Sequence, residues 1–217
     1  MKMFRNYING QWVTTAKQFE DRNPVDNTLV GMVYEAGKAE VDAAVKAARA
    51  ALGGPWGKMT QQQRCNMLVA VADEIHRRFD DFLAAEIADT GKPKGLASRV
   101  DIPRGGENFR DLADLSMRFP TESYTFDTPD GGKAINYGVR TPRGVIAVIS
   151  PWNLPLLLMT WKVGPALACG NTVVVKPSEV TPATATLLAE VMETVGLPPG
   201  VFNLVHGFGP DSAGAYL

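Results

Sequence analysis

A chain of 217 residues, 45% hydrophobic and 21% charged, has the composition of a globular protein with room for one sizeable core. Its net charge of -1, with lysines and arginines dispersed, excludes the basic stripe of a nucleic-acid-binding surface. The longest apolar stretch, Leu154–Met159, is too short and too broken to span a bilayer, so no membrane partner is expected.

The start, Met1–Asn6, lacks the apolar run of a signal peptide. Tyr7–Ile8, Asn9–Gly10 and Gln11–Val13 read as a strand, a turn and a strand. Val41, Ala44, Val45, Ala48 and Leu52 recur at helical spacing, and Gly53-Gly54-Pro55 stops that helix. Thr60 followed by Gln63 is a capping box that opens a helix with Met67, Leu68, Val71, Ala72 and Ile75 inward. A further helix carries Phe82, Leu83 and Ile87 and ends at Gly91 and Pro93. The next runs from about Asp101 to Arg118, with Pro103 in its first turn and Phe109, Leu112 and Leu115 inward. Tyr124–Phe126 and Ile135–Val139 alternate in polarity around Asp130-Gly131-Gly132, a β-hairpin that reads as a small arm.

From Gly144 the pattern becomes regular. Val145–Ile149 is a continuous apolar run of the kind that buried parallel strands show. A helix over Leu156–Ala168, a strand over Thr172–Val175, a helix opened by Thr181 as N-cap and Pro182 as first residue, and a strand over Val201–Val205 follow. This β-α-β-α-β order predicts an α/β fold, a Rossmann-like doubly wound parallel sheet. Ligands of such sheets bind at the carboxyl ends of the strands, where Asn153, Lys176 and Gly207 fall.

Residue types alone leave the chemistry open. The first strand is followed by Ser150-Pro151-Trp152-Asn153 rather than a Gly-x-Gly-x-x-Gly fingerprint, and Gly207-Phe208-Gly209 reads equally well as a tight turn. Asn153 reads as a cap for the next helix, and Lys176 and Glu179 as exposed loop residues. Cys65 and Cys169 fit no metal spacing and no disulfide framework. They are expected to be buried, inert thiols in a reducing cytoplasm, with no metal bound. His76 and His206 are expected to be structural.

Several stretches together carry a resemblance. They are Asn9-Gly10-Gln11-Trp12, Asn23-Pro24, Thr90-Gly91-Lys92-Pro93, Pro142-Arg143-Gly144-Val145, Ile149–Pro155, Gly164–Asn171, Val174–Glu179 and Gly207–Pro210. In this order and spacing the chain resembles the N-terminal part of the NAD-dependent aldehyde dehydrogenases. The resemblance implies Asn153 as the oxyanion-holding catalytic residue and a cofactor site for NAD from Ile149, Ser150, Pro151, Trp152, Lys176, Ser178, Glu179 and Gly209. An acidic residue at Glu179 favours NAD over NADP, whose 2′-phosphate it would repel. Asp101–Gly105 and Leu156–Lys162 further resemble a subgroup acting on muconic semialdehydes, ring-fission products with a carboxylate beside a 2-hydroxy or 2-amino group. Arg104 is then the substrate-carboxylate ligand, since its planar fork matches both oxygens.

The resemblance also divides the chain into a helical part of the cofactor domain (1–118), an oligomerisation arm (119–141) that makes homo-oligomers, and a βαβαβ unit (142–217). The family's Cys nucleophile and Glu base match no segment here, so this chain alone is expected to form no NADH. Two other readings stand beside this one: a general or betaine-type aldehyde dehydrogenase, and a non-catalytic nucleotide-binding fragment.

Overall fold

The computed structural model describes residues 1–217. Strands β1 (Lys2–Phe4), β2 (Asn6–Ile8), β3 (Gln11–Val13), β4 (Gln18–Arg22) and β5 (Leu29–Tyr34) come first. Helices α1 (Lys38–Gly53), α2 (Pro55–Lys58), α3 (Gln61–Arg77), α4 (Phe79–Thr90) and α5 (Lys94–Leu96) follow. A π-helical turn, Ala97–Asp101, leads into α6 (Ile102–Arg118). After β6 (Ser123–Asp127) and β7 (Lys133–Tyr137) the chain alternates through β8 (Val145–Ile149), α7 (Pro155–Ala168), β9 (Thr172–Lys176), α8 (Ala183–Thr194), β10 (Phe202–Leu204) and α9 (Ala213–Tyr216).

The helix starts and stops follow local chemistry. Thr60 Oγ1 accepts from the Gln63 amide at 3.2 Å, and Gln63 Oε1 accepts from the Thr60 amide at 2.8 Å, closing the capping box. Gly91 ends α4 at φ 66°, a left-handed conformation that costs glycine little.

The main sheet has the order β3-β2-β10-β9-β8. Strands β8, β9 and β10 are parallel, as the β-α-β-α-β pattern predicts. The N-terminal hairpin adds two antiparallel strands beside β10, which makes the sheet mixed. Side chains lock it there: Asn203 Oδ1 accepts from the Asn9 amide at 3.0 Å, and Asn6 Oδ1 from the His206 amide at 2.7 Å. Helices cover both faces. Val173 and Val175 of β9 join a cluster with Leu68, Val71, Leu156 and Leu188, while Val174 meets Val41, Ala44 and Ala48 of α1. That alternation is the pleat of a doubly wound strand.

Four expectations are corrected. Strand β8 is an edge strand on which only Val148 is buried, because β9 covers one side and nothing packs beyond the other. Leu115 is 53% exposed: the buried stripe of α6 runs through Ile102, Gly105, Phe109 and Ala113, and Leu115 lies on the opposite side. Helix α8 begins at Ala183, not at Pro182, and Thr181 Oγ1 makes no hydrogen bond. Its first amide is capped from outside, by Asp89 Oδ2 of α4 at 2.9 Å. Cys169 is exposed, whereas Cys65 is buried as expected. A second sheet, β1-β5-β4, was not foreseen. Strands β6 and β7 pair only with each other and leave Tyr124, Phe126, Ile135 and Tyr137 exposed.

Candidate functional site

The carboxyl ends of β8, β9 and β10 lie side by side. Ile149 is the register partner of Lys176, and the Ser150 amide extends the ladder to the Lys176 carbonyl at 3.1 Å. The Val205 amide does the same to Val175 at 2.9 Å. Three loops therefore leave the sheet from one end, and the cofactor residues expected from the sequence lie on them or, for Ile149 and Lys176, on the last residue of the strand before them.

After β8, Ile149 and Trp152 are 51% and 63% exposed, so they are not core residues. Pro151 is half-buried. Ser150 is buried, and its hydroxyl has no partner. Asn153 is exposed, and its side-chain amide makes no hydrogen bond within the chain. The capping alternative fails for it, because the residue at the N-cap of α7 is Leu154 and that end has no side-chain cap.

The loop is instead held by its carbonyls. Lys162 Nζ donates to Ile149 O at 2.5 Å, and Lys92 Nζ donates to Asn153 O at 3.0 Å. Lys92 also donates to Glu86 Oε1 at 3.1 Å and Asp101 Oδ2 at 2.6 Å. Burial is the main reason the Glu86 carboxyl is pushed up to about 7, against the pull of Lys92. Neither lysine was assigned a role from sequence. The only signal was the position of Lys92 in Thr90-Gly91-Lys92-Pro93 and of Lys162 in the run after Leu156.

After β9, Lys176 is 4% exposed, not a solvated loop residue. Its ammonium donates to Gly207 O at 2.7 Å and Pro177 O at 2.8 Å, and sits 3.7 Å from Glu179 Oε2. Burial lowers its pKa, and Glu179 opposes that. Ser178 is buried and accepts the Thr181 amide through its carbonyl, a tight turn that leaves the Glu179 side chain partly in solvent. After β10, Gly207 adopts φ 152°, and a Cβ there would come within 2.5 Å of Ser212 Oγ. Gly209 itself is exposed and has open space about its Cβ position. His206 is fully buried between these loops, with burial first and then the Lys176 charge lowering its pKa to about 3. Its ring nitrogen Nε2 lies 3.3 Å from Thr186 Oγ1.

Arg104 lies one helical turn after Asp101, exposed and without an ion pair or hydrogen bond. Its neighbour Gly105 meets Leu156 so closely that a Cβ would approach the leucine to 2.7 Å. The start of α6 is thus packed on the start of α7, and Lys92 joins Asp101 on the one to Asn153 before the other. Neither cysteine can serve as nucleophile here. Cys65 Sγ is engaged with Ala113 O and Ser116 Oγ at 3.5 and 3.3 Å. Cys169 follows the far end of α7, whose 14 residues span about 21 Å.

The residues fit a nucleotide cofactor. Exposed apolar Ile149 and Trp152, an unpartnered buried Ser150 hydroxyl, and the Glu179 carboxylate stand along one line of strand ends. Fold and site together define a dinucleotide-type α/β unit in which the phosphate fingerprint is replaced by a lysine-pinned loop.

The comparisons make that class specific. Residues 12–217 match the model of the aldehyde dehydrogenase family, and the chain belongs to that family. It is 64% identical over 219 residues to a 2-hydroxymuconic semialdehyde dehydrogenase of Pseudomonas sp. (strain CF600), covering 100% of this chain and 45% of that protein. It is 60% identical over 217 residues to a 2-aminomuconic 6-semialdehyde dehydrogenase of Pseudomonas sp., covering 100% and 44%. Among solved structures, the NAD+ complex of an aldehyde dehydrogenase from Bacillus cereus superposes with a TM-score of 0.93 at 38% identity, covering 99% of this chain and 43% of that one. The chain spans less than half the length of the curated relatives it matches.

Proposed function

We propose that this chain is the cofactor-binding and oxyanion-holding part of an NAD-dependent dehydrogenase that oxidises a carboxylated semialdehyde, of the 2-hydroxymuconic or 2-aminomuconic type, in aromatic-compound degradation. The observation that carries the reading is the free Asn153 amide, exposed at a strand end and held by its own backbone carbonyl. The two relatives named for these substrates support the substrate class.

NAD, when bound, accepts hydride from the substrate carbon. Lys176 and Glu179 hold its adenosine ribose, with Ser178 setting the turn between them. Ile149, Ser150, Pro151, Trp152 and Gly209 border it. Asn153 donates to the oxygen that becomes negative when a thiolate attacks the aldehyde, a preorganised bond worth ~3 kcal/mol in the transition state. Arg104 takes the substrate carboxylate in its fork. Residues 1–118 serve as the first part of the cofactor domain, 119–141 as the oligomerisation arm, and 142–217 as the βαβαβ unit. The exposed aromatic and aliphatic side chains of β6 and β7 support a homo-oligomer, and two unpaired thiols support a cytoplasmic setting. No helix is long and apolar enough to cross a membrane.

The test is Asn153→Ala in the enzyme that combines this chain with the family nucleophile. The expected result is a fall in kcat of roughly a hundredfold or more, with NAD affinity retained. Unchanged turnover sinks the assignment. The 217-residue chain assayed alone should form no NADH from any aldehyde, since neither cysteine stands at Asn153.

A further inference from the structure

We propose that Lys92 is a positioning residue: its ammonium, seated on Glu86 and Asp101, fixes the peptide that aims the Asn153 amide and ties it to the helix that carries Arg104. The inference rests on the oxyanion reading of Asn153 and deepens it.

Three observations carry it. First, the loop between β8 and α7 has almost no hydrogen bonds of its own. The Ser150 amide bonds back to β9 and the Leu154 carbonyl enters α7, but residues 151–153 have no backbone-to-backbone bond. The loop therefore depends on side chains, and Lys92 supplies the only bond to the Asn153 peptide.

Second, Lys92 is built for one geometry. An ammonium has three donors, and all three are used, on Glu86, Asp101 and the Asn153 carbonyl. The Lys92 side chain is 11% exposed and the two carboxylates 0% and 1%. The two buried carboxylates fix where the ammonium sits, and its third donor points out to the exposed Asn153 carbonyl. Third, the backbone bends to complete it. Asp101 is the last residue of a π-helical turn, an irregularity found mostly at functional sites, and that turn brings its carboxylate inward to 2.6 Å from Lys92.

The strut has a consequence for specificity. Asp101 directly precedes helix α6, which carries Arg104, so the cation that orients the oxyanion donor also anchors the base of the helix that would meet the substrate carboxylate. The two recognition elements then move as one body, and the distance between aldehyde and carboxylate in the substrate becomes part of what is selected.

The experiment is backbone and side-chain nitrogen relaxation by NMR on the full chain. Lys92→Met alone would leave Asp101 charged and buried, so the double variant Lys92→Met, Asp101→Asn is used to keep the fold. The expected result is a local loss of order at Trp152 and Asn153, with order parameters falling from about 0.85 to below about 0.6, while Val173–Val175 of β9 keep theirs. The Asn153 side-chain amide resonance should shift as well. A lysine that only stabilised the α4–α6 contact would lower the melting temperature and leave Trp152 and Asn153 rigid, and that result overturns the proposal. Failure of the oxyanion reading is separate: it would show as full turnover in Asn153→Ala, whatever the relaxation data say of Lys92.

Discussion

Helix α4 carries two buried acids a turn apart, and they have met opposite fates. Glu86 faces the buried Asp101 with the Lys92 ammonium between them. Asp89 faces the buried Asp21, and no ammonium or guanidinium bonds to either. Burial raises the pKa of both Asp21, to about 6, and Asp89, with their mutual repulsion adding to the latter. The first pair, neutralised by a lysine, has a donor to spare and can hold a third group, the Asn153 carbonyl. The second pair can spend only one oxygen outside itself, on the Ala183 amide that starts α8. A buried acid pair becomes a joint when a cation completes it and remains a source of strain when none does.

Removing the cation should give the largest effect. Lys92→Met leaves two buried carboxylates facing each other, a loss of about 3–5 kcal/mol, and the thermal midpoint should fall by on the order of 10 °C. A melt within a degree or two of the parent would show that the joint contributes nothing to stability.

Relieving the other pair should do the reverse. Asp21→Asn removes one charge and offers amide donors to the unpartnered Asp89 Oδ1. The folded-state pKa of Asp21 lies above its unfolded value, so ionisation is easier in the unfolded chain and stability is lost as pH rises from about 4 to about 6. The variant should therefore be more stable than the parent at pH 8, by roughly 2 kcal/mol, and no different below about pH 4. Denaturant titrations at the two pH values and low ionic strength give the comparison. A gain of equal size at both pH values would mean that the charge is irrelevant.

An effect of opposite sign, on the acid side, comes from His206. Its pKa is depressed by burial to about 3, so the unfolded chain takes up the proton first, and stability falls as pH drops below about 6.5. His206→Gln should flatten the acid side of the stability profile. A profile unchanged below pH 6 would show that His206 is protonated in the folded protein.

The smallest change in stability is expected at Arg104, which is exposed and unpaired. Arg104→Ala should shift stability by less than about 0.5 kcal/mol, yet in the active enzyme it should lower kcat/KM for carboxylated semialdehydes alone. An unchanged substrate profile would favour a general or betaine-type activity.

What could be read from the sequence follows from the range of the forces involved. The α3 capping box, the Gly91 stop, the hairpin at Asp130-Gly131-Gly132 and the β-α-β-α-β alternation are all set by residues a few positions apart. The β1-β5-β4 sheet escaped because both strands that flank the apolar β5 give little signal: β1 is three residues long and β4, Gln18–Arg22, is mostly polar. The place of the N-terminal hairpin escaped because it is decided between Tyr7 and Leu204. Val145–Ile149 and Leu115 were expected inward because apolar side chains usually are, but burial needs a neighbour, and β8 has one on a single side. At the site, Asn153, Lys176 and Glu179 were found through motif, yet the bonds that fix them were not. Lys92 lies 61 residues from the carbonyl it holds, and no local pattern announces such a pair.

The most direct measurement is an equilibrium titration of the chain with NAD and with NADP, followed by tryptophan fluorescence, since Trp152 is exposed beside the strand ends. The expected result is saturable quenching by NAD, at least about tenfold weaker binding of NADP, as one repelled charge can supply, and loss of that preference in Glu179→Ala. No saturable change with NAD, or a preference for NADP, would contradict the assignment of these three strand ends to the cofactor.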